Sequence, residues 1–377
     1  MFLRTIIIIT FLYSIQIQLN ADFSPDYHVF GSQSYIHSSK GDYVREDTKR
    51  GSFDYQEIGV NVADEFINNK LYLGVQGLGR RNRENKLKFD IDWAKISYLF
   101  DDNLKVSAGL LKNIFGFYNE TRDIDATRSM AFAPQEIYDE RSRDYVFSSY
   151  SIRLDGNVEV AHYGDLNYSI NYGALNMSNS STTSQYIGSL FSNQTEYDKS
   201  SMYGMALEYD FSSIIQIMLQ REYIHLDYKF VPKPLPGLLP GGKALEMKYI
   251  VDYFGFRYNA VDWSVTSELM YTSGDQTILG TIESKVDSLL TINLIFDYYY
   301  SQTTSLFSKI AHLKQEFGQD KLYDNTVCFG VNYRLKEYWQ LKAEYNYFTG
   351  GMLSFEPLPT NSVSHWDALV LRVSFSY

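Results

Sequence analysis

Apolar and polar residues alternate with a period of two along most of the chain, from near Tyr27 to the last residue, Tyr377. Alternation of this kind puts one set of side chains on each face of an extended strand. It is cleanest where Leu166, Tyr168, Ile170 and Tyr172 oppose Asn167, Ser169, Asn171 and Gly173. The segments run roughly 9 to 13 residues, the length of a tilted strand crossing a bilayer. Taken in order they predict strands near His28–Ile36, Phe53–Ala63, Leu71–Gly77, Leu87–Tyr98, Leu104–Leu110, a sixth ending near Tyr163, then Leu166–Gly173, Tyr203–Phe211 and Ile214–Phe230. The series continues with Leu245–Tyr253, Trp263–Leu269, Leu290–Tyr298, Ser305–Phe317, Val327–Tyr333, Trp339–Tyr345 and His365–Tyr377.

The connections alternate as well. Short turns such as Asn68-Asn69, Asp101-Asp102-Asn103, Gly164-Asp165, Ser212-Ser213 and Lys336-Glu337 take turns with long polar loops. Those loops cover His37–Ser52, Arg80–Glu84, Phe115–Asp144, Asn176–Ser201, Pro232–Gly242, Thr272–Asp287, Gly318–Asn325 and Thr349–Ser364. The expected fold class is therefore all-β: a transmembrane antiparallel β-barrel of about sixteen strands, with long outer loops and short periplasmic turns. Pairing the first strand with the last would leave no open edge, which lipid demands. A soluble β-sandwich also alternates, but its strands are nearer five or six residues. It would also need a second layer to cover the apolar faces of so many strands.

In such a barrel the apolar sets face lipid and the polar sets line the lumen. Leu87, Phe89, Ile91 and Trp93 are then outward, with Asp90 and Asp92 inward. By the same rule Leu245, Met247, Tyr249, Val251 and Tyr253 are outward and Glu246, Lys248 and Asp252 inward. Arg334, Lys342, Glu344 and Arg372 complete the expected pore wall.

The N-terminus carries Arg4, an apolar stretch from Thr5 to Ile15 and a cleavage point near Ala21, the pattern of a secretory signal peptide. The expected organisation is a signal peptide over 1–21 and a barrel over 22–377, with 115–144 as its constriction loop. After the leader no run is apolar enough to span as a helix. The 33 Tyr and 24 Phe suit the two water–lipid interfaces, while a single cysteine, Cys328, rules out an internal disulfide. A net charge of −11 argues against nucleic acid as a partner.

Phe115–Asp144 breaks the alternation and is dense in charge of both signs. Glu120, Arg122, Asp123, Asp125, Arg128, Glu136, Asp139, Glu140, Arg141 and Arg143 all fall within it. A structureless run of this length inside a compact fold is usually either functional or a misassigned element. Folded into the lumen it would narrow the pore, and its excess of carboxylates predicts a weakly cation-preferring or poorly selective channel.

The architecture resembles the sixteen-stranded outer-membrane porins of Gram-negative bacteria. The likeness rests on the aromatic end Val373-Ser374-Phe375-Ser376-Tyr377 and on the third long loop. It also rests on the junction Gly109-Leu110-Leu111-Lys112 followed by Phe115-Gly116-Phe117-Tyr118-Asn119-Glu120-Thr121-Arg122-Asp123. The resemblance implies passive diffusion of small hydrophilic solutes, a homotrimer, contact with outer-membrane lipid and lipopolysaccharide, and insertion by the outer-membrane assembly machinery through the C-terminal strand. An adhesin or receptor displayed on the outer loops is the alternative, with a barrel hydrolase behind it. Catalysis lacks a constellation: His28, His37, His162, His225, His312 and His365 are scattered, and only His225 and Asp227 share a strand face. No Cys or His spacing suggests a metal site or other cofactor.

Overall fold

Sixteen antiparallel strands close into one barrel, each bonded to its neighbours in sequence and the last to the first. The computed structural model describes residues 24–377 apart from 82–86, 144–146, 161–162, 180, 182, 185–186, 189–194, 232–241, 318–319 and 355–364. The expected signal peptide, Asp144 and most of the Pro232–Gly242 loop lie outside the described residues. The strands are β1 (Asp26–Ser38), β2 (Ser52–Phe66), β3 (Leu71–Arg81), β4 (Leu87–Asp101), β5 (Leu104–Lys112), β6 (Ser148–Glu159), β7 (Asp165–Leu175) and β8 (Thr195–Phe211). They continue as β9 (Ile215–Phe230), β10 (Lys243–Asn259), β11 (Trp263–Ile278), β12 (Ile282–Tyr299), β13 (Thr304–Phe317), β14 (Asp320–Lys336), β15 (Trp339–Thr349) and β16 (His365–Ser376).

The seam pairs β1 with β16 from Phe30↔Ser376 to Ser38↔Ala368. Val29 and the terminal Tyr377 exchange both backbone hydrogen bonds at 2.8 Å, so even the last residue is tied in. At the short-turn end Asn68 and Asn69 (φ 54° and 63°) and Ser212 and Ser213 (φ 52° and 58°) adopt left-handed backbone. That conformation matches the twist of tight hairpins.

Several strands outrun the alternating segments. The expected Thr272–Asp287 loop is largely the tip of a β11–β12 hairpin, with Ile278 paired to Ile282. The Gly318–Asn325 loop shrinks because β14 already begins at Asp320, and β8 begins at Thr195, within the expected Asn176–Ser201 loop. Backbone pairing continues above the bilayer, where both faces are polar and the period-two signal fades.

Two face assignments change. A bulge pairs Gln76 with Trp93 and Gly77 with Ile91, leaving Asp92 unmatched. Beyond it the parity flips, and Trp93 turns inward to donate to Gln76 at 2.8 Å. On β10 the inward set is Leu245, Met247, Tyr249, Val251 and Tyr253, which join the interior cluster that includes the loop residues. Glu246, Lys248 and Asp252 therefore point outward, away from the lumen. Outward residues elsewhere, such as Ile292, Leu294, Phe329, Leu341 and Leu371, are exposed and apolar as a lipid face requires.

The interior holds two apolar clusters. One joins Phe115, Tyr118, Met130, Ile137 and Tyr138 of the loop to Met202, Ile224, Leu245, Val251, Tyr253 and Met270 of the wall. The other joins Ala131 and Phe132 to Ile36, Tyr43, Tyr55, Phe348, Trp366 and Val370.

Candidate functional site

The segment between β5 and β6 crosses the inside of the barrel. Its neck is braced where Asn113 N–H donates to Phe147 O at 2.8 Å and the Asn119 side-chain amide donates to the carbonyls of Asn113 and Phe147. Gly116 has φ 60°, and a Cβ there would run into the Tyr138 hydroxyl and the Tyr253 ring, so glycine is required. A turn at Pro134 and 3-10 turns at Asp125–Thr127 and Glu140–Ser142 keep the loop compact.

Charged side chains fasten the loop on three sides. On the β15–β16 side Arg372 reaches Asp125 at 2.5 Å and Glu57 at 3.1 Å, and Arg128 also pairs with Asp125. The Arg372 guanidinium lies over the rings of Tyr55 and Phe132, 5.1 and 5.0 Å from their centroids. Lys342 donates to three loop carbonyls, those of Asp125, Arg128 and Met130, at 2.7 to 2.9 Å. Glu344 accepts the N–H of Ala131.

On the β3–β5 side Asp123 meets Arg143 at 2.5 Å and Lys112 at 3.1 Å, and Arg143 also approaches Asp92 at 3.4 Å. Arg122 pairs with Glu140 at 2.7 Å. On the β11–β13 side Lys309 grips Glu136 at 2.8 Å, while Glu268 accepts the hydroxyls of Tyr138 and Tyr253. Asp139 and Arg141 pair at 2.6 Å, and Arg141 donates to the carbonyls of Met352 and Ser354 in the last outer loop.

These pairings set the protonation of the loop. Burial opposes ionisation of Asp123, but Arg143 and Lys112 outweigh it and hold the carboxyl well below its usual range. Asp125 is lowered in the same way, with Arg372 and Arg128 overcoming its burial. Glu140 is buried too, yet Arg122, Arg143 and Arg80 bring it down to about 2.

Of the charges expected at the constriction, Arg122, Asp123, Asp125, Arg128, Glu136 and Arg143 are buried and paired. Glu120 differs: its side chain is 54 % exposed and meets Arg153 at 3.0 Å. Of the wall residues, Asp92, Lys342, Glu344 and Arg372 meet the loop, whereas Asp90 lies exposed with Lys88 at 3.0 Å. Arg334 lines a chamber on the short-turn side of the loop instead. Glu246, Lys248 and Asp252 do not reach the site.

Two chambers lie on the short-turn side of the loop. One of about 300 Å³ is lined by Tyr118, Arg128, Ser129, Arg257, Asp297 and Arg334. The other, about 460 Å³, is lined by Lys105, Glu120, Arg153, Asp155, Glu208 and Arg257. Arg257 borders both and lies 4.5 Å from the centroid of the Phe117 ring. The alternation did not single out Arg257, Arg153, Glu208, Asp297, Lys309 or Glu57. All of them fall at inward parity within their strands, but nothing local marks which inward polar residue meets the loop and which meets water.

No family model and no curated protein matches the sequence. Solved structures do. OmpT of the outer membrane of Vibrio cholerae superposes with a TM-score of 0.60 at 11 % identity, covering 95 % of this chain and 99 % of that one. An anion-selective porin from Comamonas acidovorans gives 0.61 at 10 % identity over 94 % and 99 %. The outer membrane channel DcaP of Acinetobacter baumannii gives 0.58 at 10 % identity over 94 % and 97 %. The chain has the fold of a porin-like β-barrel.

Proposed function

We propose that this protein is an outer-membrane porin, a passive channel for small hydrophilic solutes and ions with little charge selectivity. The carrying observation is the loop pinned across the lumen of a closed barrel, with polar chambers beneath it that meet at Arg257. A narrow opening with fixed charges in low-dielectric walls focuses their field on a passing solute.

The excess carboxylates of the loop are matched by wall cations: Asp125 by Arg372, Glu136 by Lys309, Asp123 by Lys112 and Glu120 by Arg153. That matching favours poor selectivity over cation preference. The chambers carry both signs, with Arg128, Arg257 and Arg334 against Asp297 in one. In the other, Lys105, Arg153 and Arg257 stand against Asp102, Glu120, Asp155 and Glu208. One structural neighbour, the in-vitro folded OmpT, is described in a trimer form. A homotrimer is proposed here as well.

Recording the purified protein in planar bilayers across a salt gradient tests the reading. The expected result is ohmic conductance with a reversal potential near zero, together with swelling of sugar-loaded liposomes. A strongly ion-selective reversal potential would overturn the selectivity, and vesicles left impermeable to ions and sugars would overturn the channel.

A further inference from the structure

On β9 the residues Ile224, Leu226 and Tyr228 are buried toward the loop. The alternate residues Tyr223, His225 and Asp227 therefore lie on the outer face. Register places Glu246 of β10 directly beside Asp227. Tyr203 and Tyr223 stack at 4.5 Å one step nearer the membrane centre, so the His225 level marks the upper margin of the lipid-facing band.

Here one imidazole nitrogen and two carboxylate oxygens converge. His225 Nε2 lies 3.3 Å from Asp227 Oδ1 and 3.1 Å from Glu246 Oε1, and the three ligand atoms lie within 4.8 Å of one another. Asp227 is 3 % exposed, yet among the described residues its Oδ1 accepts no hydrogen bond, and neither does His225 Nε2 make one. Two buried ligand atoms side by side, each without a hydrogen bond, are costly unless something lies between them. The cations nearby hold Glu246 but make only long contacts with Asp227. Lys243 Nζ bonds Glu246 Oε2 at 2.7 Å and Lys248 Nζ lies 3.0 Å from Glu246 Oε1, but Lys243 stays 3.7 Å from Asp227 Oδ1 and Lys199 3.6 Å from Asp227 Oδ2. Lys243 is half exposed.

We propose that His225, Asp227 and Glu246 form a binding site for a divalent transition ion on the outer wall of the barrel. One imidazole and two carboxylates suit an ion of borderline hardness such as Zn²⁺, with water in the remaining positions. The ion replaces Lys243 as the cation between the two carboxylates and Lys248 as the partner of Glu246 Oε1. The site is separate from the lumen and does not depend on conduction.

Zn²⁺ titration of the full-length barrel in detergent, followed by calorimetry and metal analysis, tests the proposal. Wild type is expected to bind about one Zn²⁺ per chain at this site, and H225A and D227N are each expected to weaken it at least tenfold. K243M, which removes the competing ammonium, is expected to tighten binding several-fold, a gain that an adventitious surface histidine would not show. The channel conductance of all variants is expected to match wild type. Equal Zn²⁺ binding by wild type and an H225A/E246A double variant, both with intact barrel circular dichroism, overturns the site. Weaker binding by K243M overturns the assignment of Lys243 as competitor.

Discussion

The wall formed by β14–β16 and the outer half of the wall formed by β9–β10 follow opposite rules. On β15 and β16 the outward residues Leu341, Tyr345, Leu369 and Leu371 are apolar, and the inward Lys342, Glu344 and Arg372 hold the loop by charge. On β10 the inward Leu245, Met247, Val251 and Tyr253 hold the loop by apolar contact, while the outward Glu246, Lys248 and Asp252 are charged. A lumen filled with protein has a core of its own. Apolar alternation then reports contact with something non-aqueous, and it does not say whether that is lipid or loop.

Ways to break this contrast can be ranked by size. The largest effect is expected from Arg372→Met, which leaves Asp125 and Glu57 buried with the guanidinium that joined them gone. Removing one partner of a buried pair costs about 3–5 kcal/mol. Denaturant unfolding in detergent is expected to show that loss, and single-channel records a higher, noisier conductance. Leu245→Ala probes the opposite wall. It is expected to destabilise by about 2–4 kcal/mol through cavity formation, with no change in the salt dependence of unfolding, because no charge is involved.

A third effect separates the walls by pH. Glu140 is held at about 2 in the folded protein, against 4.5 for the free side chain. Its contribution to stability is therefore complete above about pH 4.5 and is lost as pH falls toward about 2. Loop fluctuations in conductance are expected to grow over that window, and Arg122→Gln is expected to shift their onset to higher pH. A record unchanged down to pH 2 would remove the ion pairs from the gating of the loop.

The smallest effect concerns the outward pair Arg221–Asp252, joined at 2.6 Å among Met205, Leu207, Leu219, Phe254 and Leu269. Charge on the lipid face is destabilising. Arg221→Leu alone is expected to lower the unfolding midpoint slightly, and Arg221→Leu with Asp252→Leu to recover it. Failure of the double variant to recover would place this pair outside the hydrocarbon.

The barrel itself was legible because lipid imposes one simple demand on β11–β16, where apolar residues face outward along nearly every strand. The loop was legible as an interruption. Its partners were not, since Asp125 and Arg372 are 247 positions apart and Glu136 and Lys309 are 173 apart. Trp93 was misplaced because a one-residue bulge leaves composition untouched while reversing every later side chain. β10 was misplaced because Phe254, Phe256 and Tyr258 meet lipid at its lower end, whereas Leu245, Met247, Val251 and Tyr253 join the interior cluster with the loop. His225 and Asp227 stood out as a pair, but their third partner came from the neighbouring strand.

Lys342 has an implication for how such a channel can diversify. Its ammonium clasps peptide oxygens, and every residue type offers those. A substitution at Arg128, which lines the smaller chamber, can thus alter what the passage admits while this tether keeps its grip, so permeation can drift faster in descendants than the path of the chain that shapes it.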